Sequence, residues 1–132
     1  SPKSIIELNL INTPDIAQTI SATCVGLKAK CHLTGLETLK IKETDRLVAL
    51  KNELEKFGAI ITITNDSLTI EGYNNYTETP TLATYNDHRM AMCMAPLAQI
   101  YPIRIENEMV VEKSYPIFWE DWKKLGFEIK SV

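Results

Sequence analysis

The chain has 132 residues and a mass of 14.9 kDa, the size of one domain. Its 45% hydrophobic and 23% charged residues are ordinary for a globular protein and exclude a disordered tail or a small disulfide scaffold. Fourteen Lys plus Arg against seventeen Asp plus Glu give a net charge of −3, the wrong balance for a generic nucleic-acid binder, so any bound anion must be held by a local cluster of cations.

In chain order, residues 5–10 read as a strand, followed by the turn Asn12-Thr13-Pro14. From Asp15 to about Lys28 a helix is expected, with Ile16, Ile20, Thr23, Cys24 and Leu27 on one face. Residues 30–34 return as a strand. A second helix is expected from about Thr44 to Phe57, with Leu47, Leu50, Leu54 and Phe57 on its apolar face and Gly58 just past its end. Residues 60–63 and 67–70 flank Asn65-Asp66 as a hairpin. The second half reads as a strand near 82–85, a helix over roughly 87–98, a strand at 103–106, a helix over about 116–125 and a strand at 127–130. No apolar run is long enough to predict a transmembrane helix, and Ser-Pro-Lys-Ser does not lead into a signal-peptide apolar region. Cys24, Cys31 and Cys93 form no metal-ligand spacing; they read as small core residues in a reducing cytoplasm.

The two halves resemble each other. LEKFGAIITI aligns with WKKLGFEIKS, so that Leu54, Phe57, Gly58 and Ile61 match Trp122, Leu125, Gly126 and Ile129. This is a repeat of about seventy residues, predicting an α/β fold with parallel pairings and two repeat units, 1–75 and 76–132.

Chemistry concentrates where helices begin. In Lys42-Glu43-Thr44-Asp45-Arg46, two cations stand four apart at a helix start. Either an anion offsets their repulsion, or this is a solvated turn capped by Thr44 or Asp45. In Tyr85-Asn86-Asp87-His88-Arg89, an Asn or Asp cap precedes a helix that is apolar nearly all round. Arg89 then needs either an anionic ligand or an internal carboxylate such as Asp45. Lys113 stands in a loop before the last helix, and Asp15 follows Pro14 as an N-cap or first-turn acid. In parallel α/β units, strand-to-helix turns share the carboxyl edge of the sheet, so these groups could gather on one face.

KETDR at 42–46, YNDHRMAM at 85–92, PDIAQT at 14–19 and the closing EKSYPIFWEDWKKLG resemble the enolpyruvylshikimate phosphate synthase family, in order and spacing, over nearly the whole chain. A sister enolpyruvyl transferase acting on a UDP-sugar shares the fold and an equivalent of Asp15, but not the paired motifs. The resemblance implies an inside-out α/β barrel built from βαβαββ units. It also implies transfer of the enolpyruvyl group of phosphoenolpyruvate to the 5-hydroxyl of shikimate 3-phosphate, by addition and elimination, with no metal or organic cofactor.

By the same resemblance, Arg46, Arg89 and Lys113 would bind the carboxylate and phosphate of phosphoenolpyruvate, with His88 and Glu43 lining that pocket. Asp15 and Lys42 would contact the ring hydroxyls of shikimate 3-phosphate. Asp15 and Glu43 would lead proton transfer, with Lys113 a further candidate. Thr38 stands where some relatives place an Asn against the ring. Family members are more than three times as long, so the chain is expected to be two of the three units of one domain. It would then lack activity alone and expose apolar surface through which it could self-associate.

Overall fold

The computed structural model describes residues 5–42, 44–112 and 114–129. The first half forms β1 (Ile5–Asn9), α1 (Ala17–Leu27), β2 (Lys30–Thr34), α2 (Arg46–Leu54), β3 (Ala59–Ile63) and β4 (Leu68–Tyr73). This is one βαβαββ unit. The second half continues with β5 (Thr81–Leu82), α3 (His88–Met94), β6 (Arg104–Ile105) and α4 (Phe118–Lys124). Short 3-10 turns at Pro14–Ile16, Glu37–Ile41, Glu55–Phe57, Ala95–Gln99 and Glu108–Val111 join these elements.

Four strands form one sheet in the order β1-β2-β4-β3. β1 and β2 are parallel, with α1 as their crossover, whereas β4 runs antiparallel to both neighbours. Asn65-Asp66 turns the β3–β4 hairpin as the sequence predicts, closed by a hydrogen bond from Thr64 N to Ser67 O. β5 and β6 form a separate parallel pair.

β2 shows why one face of the first sheet is the core. Cys31 and Leu33 are buried and their neighbours are not, the period-2 signature of a half-covered strand. Leu68, Ile70 and Ile61 lie on the same buried layer. α2 covers it with Leu47, Leu50 and Leu54, each burial worth about 1.5–3 kcal/mol relative to exposure. Phe57 seals the end of α2 against Tyr76 and Tyr101, at centroid distances of 6.0 and 5.6 Å. A smaller core of Ala91, Ala95, Val111 and Phe118 lies under α4. All three cysteines are buried and free.

Several expectations need correction. α1 buries Ala17, Gln18, Ser21, Ala22, Cys24 and Val25, while Leu27 is 71% exposed. These small residues let the helix approach α3, where Gln18 Nε2 donates to Met90 Sδ. α2 starts at Arg46, because Asp45 caps it through the N–H groups of Leu47 and Val48. Lys42 therefore precedes the helix, and Lys42 and Arg46 are not a like-charged pair on one helical face. The strand near 82–85 shrinks to Thr81–Leu82, because Tyr85 and Asn86 adopt left-handed backbone (φ 58° and 54°). α3 ends early because Pro96 has no N–H to continue the ladder. Residues 127–129 form no strand, having no ladder partner among the described residues; Lys130 lies outside them. β1 is exposed at every residue, Ile5, Ile6 and Leu8 included, and carries exposed apolar surface of the kind expected.

Candidate functional site

The candidate groups all follow carboxyl ends of parallel strands. Asp15 lies in the 3-10 turn after β1, Lys42 and Arg46 follow β2, and Asp87–Arg89 follow β5. The turn carrying Asp15 packs against the one carrying Thr38, Glu37–Ile41.

Arg46 is the hub of the cluster. Only 2% exposed, it donates from Nε to Asp87 Oδ2 at 2.7 Å and from Nη2 to Asp87 Oδ1 at 3.2 Å. This is the bidentate fork that planar guanidinium geometry favours. Its Nη1 faces Asp15 Oδ1 at 3.5 Å, and Lys42 Nζ approaches the same oxygen at 3.9 Å. Asp87 is fully buried. Besides holding Arg46 it caps α3, accepting from Arg89 N at 2.9 Å. One carboxylate thus ties the start of α2 to the start of α3.

Of the two partners left open for Arg89, the internal carboxylate Asp45 is not the one: Arg89 is exposed, and Asp45 serves its own helix. Arg46 is the arginine that the interior holds. Arg89 projects beside the buried pair because it occupies the first turn of α3, while Met90, Ala91, Cys93 and Met94 carry that helix into the core. His88 is half-buried at the head of the same helix.

Asp15, Lys42, Arg46 and Asp87 are therefore joined by ion pairs, with His88 and Arg89 next along the chain. Thr38 is exposed and makes no hydrogen bond to these groups among the described residues. Glu43 and Lys113, both named from the sequence, lie outside the described residues. A cavity of about 480 Å³ between α4 and the β5–β6 pair, lined by Trp119, Trp122, Ile103 and Phe127, contains none of the candidate residues.

Sequence reading passed over three contributors. Asp87 was read only as a cap, with no signal distinguishing it as an ion-pair partner. Glu53 carries no signal in the sequence, yet it is 2% exposed and accepts from Ala83 N (2.8 Å) and Tyr85 Oη (2.6 Å). Tyr85, its partner, has a hydroxyl pKa pushed up to about 12, first by burial and then by the neighbouring carboxylate.

The βαβαββ plan and its strand-end ion cluster define an α/β protein with charged groups assembled at the carboxyl edge of its parallel strands. A family model for EPSP synthase (3-phosphoshikimate 1-carboxyvinyltransferase) matches residues 1–122, and the chain belongs to that family. A 3-phosphoshikimate 1-carboxyvinyltransferase of Bacteroides fragilis is 48% identical over 128 residues, covering 95% of this chain and 31% of the relative. One from Clostridium kluyveri is 35% identical over 126 residues, covering 94% and 29% respectively. The solved EPSP synthase of Acinetobacter baumannii, 24% identical, superimposes with a TM-score of 0.71 over 86% of this chain and 27% of that one. The fold is therefore the enolpyruvyl transferase fold, and the chain spans about three tenths of the length of these relatives.

Proposed function

We propose that this chain supplies part of the active site of a 3-phosphoshikimate 1-carboxyvinyltransferase. That enzyme moves the enolpyruvyl group of phosphoenolpyruvate onto the 5-hydroxyl of shikimate 3-phosphate and releases phosphate. The observation that carries this reading is the Asp15–Arg46–Asp87 ion cluster, with Lys42 beside Asp15 and Arg89 exposed next to Asp87. In a chain of net charge −3, this concentrates cations where a small dianion could be held.

Each residue type suits a step. Arg89 can take a carboxylate or phosphate through its planar fork. Arg46, fixed by Asp87, presents Nη1 toward Asp15 without having to be ordered when substrate arrives. Addition requires a proton on the methylene carbon and removal of one from the attacking hydroxyl, giving a tetrahedral adduct; elimination then takes a proton from the new methyl group, re-forms the double bond and expels phosphate. A carboxylate is competent for either transfer. Asp15 fills one such role, its side chain 42% exposed and facing Lys42. Glu43 and Lys113 are proposed for the remaining transfer and for phosphate contact, Lys42 and Thr38 for the shikimate ring, and His88 for the pocket wall.

We further propose that the chain works as two repeat units, 1–75 and 76–132, of a larger domain, and that the opposite side of the substrate site comes from the rest of a longer enzyme. Its exposed β1 edge offers a surface for that packing or for self-association, which light scattering reads directly. The decisive experiment replaces the corresponding segment of a full-length family enzyme with this chain and follows phosphate release from both substrates. Turnover that disappears with Arg89→Ala supports the reading. A folded chimera that binds neither substrate overturns it, as does turnover at full-length rates by the 132-residue chain alone.

A further inference from the structure

Helix α2 grips the segment that launches α3 at alternate residues. Lys56, just past α2, donates from Nζ to Thr81 O at 2.7 Å; Glu53 Oε1 accepts from Ala83 N at 2.8 Å. Glu53 Oε2 accepts from Tyr85 Oη at 2.6 Å, and Arg46 holds the Asp87 carboxylate. Arg46 and Glu53 stand seven residues apart, two helical turns, and so share a face. The segment they hold has an uncommon shape, with Tyr85 and Asn86 both left-handed. Its other side is tied down as well, by Thr84 Oγ1 to Glu106 O at 3.1 Å and Asn107 Nδ2 to Asn86 Oδ1 at 2.9 Å.

We propose that Glu53 is a positioning residue for His88 and Arg89. Its buried carboxylate sets the direction of the Tyr85–Asn86 turn, and that turn sets where the first turn of α3 points its imidazole and guanidinium. Lys56 Nζ, 2.5 Å from Oε1, balances the charge of the buried carboxylate. An apolar side chain at position 53 would still pack α2 against β5. It would take the Glu53 acceptor from Ala83 N and the Tyr85 hydroxyl and loosen the turn's hold on α2. The inference rests on the reading that His88 and Arg89 face the substrate anion.

The test uses the 132-residue chain with Tyr85→Phe, Glu53→Gln and Glu53→Leu. The control is Lys51→Ala, which removes a comparable α2 contact, Lys51 Nζ to Ile61 O at 2.7 Å, on the other side of the helix. Amide hydrogen exchange at residues 85–90 is read without ligand, and phosphoenolpyruvate affinity by phosphorus NMR titration. Exchange should quicken and affinity fall by about tenfold in Tyr85→Phe and more in Glu53→Leu, the equivalent of losing one or more such hydrogen bonds. Glu53→Gln, which keeps an acceptor, should fall between the parent and Glu53→Leu. Lys51→Ala should lose stability in urea yet leave both readouts at the parent value.

Equal exchange in Tyr85→Phe and the parent overturns the proposal, as does a Lys51→Ala control that matches Tyr85→Phe. Should Glu53→Leu not fold, Tyr85→Phe still decides. Absence of phosphoenolpyruvate binding by the parent counts against the substrate reading alone, since the exchange contrast needs no ligand.

Discussion

The Arg46–Asp87 pair makes the sharpest prediction, through two Asp-to-Asn substitutions that differ only in what lies behind the cap. Asp45 and Asp87 each cap a helix, and Asn caps nearly as well as Asp. Asp45→Asn should therefore leave stability within about 0.5 kcal/mol of the parent. Asp87→Asn also keeps its cap, but it leaves the guanidinium of Arg46, 2% exposed, without the charge that it forks onto. Asp15 compensates little, being 3.5 Å away and 42% exposed. Removing one partner of a buried pair costs about 3–5 kcal/mol, and the acceptor oxygen that Asn retains puts the expected loss near the lower end. With a urea slope of about 1–3 kcal/mol/M, the midpoint should drop by about 1 M or more. Adding Arg46→Met removes the buried charge that Asp87 held, so the double variant should be more stable than Asp87→Asn alone. Equal urea midpoints for Asp45→Asn and Asp87→Asn would refute the reasoning, because the pair would then contribute no more than an ordinary cap.

Three further outcomes follow from the same geometry. Arg89→Ala removes an exposed side chain, so its urea midpoint should stay within about 0.5 kcal/mol of the parent while phosphoenolpyruvate binding is lost in a titration. Gly58 and Gly126, aligned in the repeat, both have positive φ (88° and 100°), but a Cβ on Gly58 would lie 2.0 Å from Asn74 O whereas one on Gly126 meets nothing within 4 Å. In thermal unfolding, Gly126→Ala should cost about 1 kcal/mol and Gly58→Ala clearly more. At alkaline pH, burial and the Glu53 bond raise the Tyr85 hydroxyl to about 12 in the folded chain, above its ordinary value of 10. The unfolded chain releases that proton first, so the contribution is complete below pH 10 and disappears as pH rises toward 12. Tyr85→Phe should flatten that part of the stability–pH curve measured by urea unfolding.

Local patterns carried much of the fold. The leucine face of α2, the Asn65-Asp66 hairpin and the strand at 30–34 each depend on neighbours in the sequence, and each formed on its expected residues, α2 shortened at both ends. Failures occurred where tertiary contacts chose among locally equivalent options. Leu27 fits an apolar helical stripe, but α1 turns its small residues inward, where they allow close approach to α3. The span 82–85 has strand-like composition, yet it bends into a left-handed turn because Glu53, Asn107 and Arg46 hold it from three sides. No window of sequence contains those partners.

The site divides in the same way. Charged residues at strand ends were legible because helix starts are marked by caps and the topology brings those starts to one edge. The division of labour between the arginines was not, because both stand in a first helical turn, Arg46 one residue and Arg89 two residues past an Asp cap, and neither spacing reveals burial. What separates them is that the start of α2 lies beneath the cap of α3, so Arg46 Nε meets the buried carboxylate of Asp87. Once Asp87 is committed to Arg46 it cannot also neutralise Arg89, whose guanidinium stays in solvent. The ion pair that fastens the start of α3 to the start of α2 is thus also what leaves Arg89 available to an incoming anion. Asp87→Asn takes away the charge that competes with an anion at the head of α3 while leaving Arg89 in place. Phosphoenolpyruvate affinity in the titration used for Arg89→Ala should therefore hold or rise in that variant while it stays folded, and a fall would refute this reading.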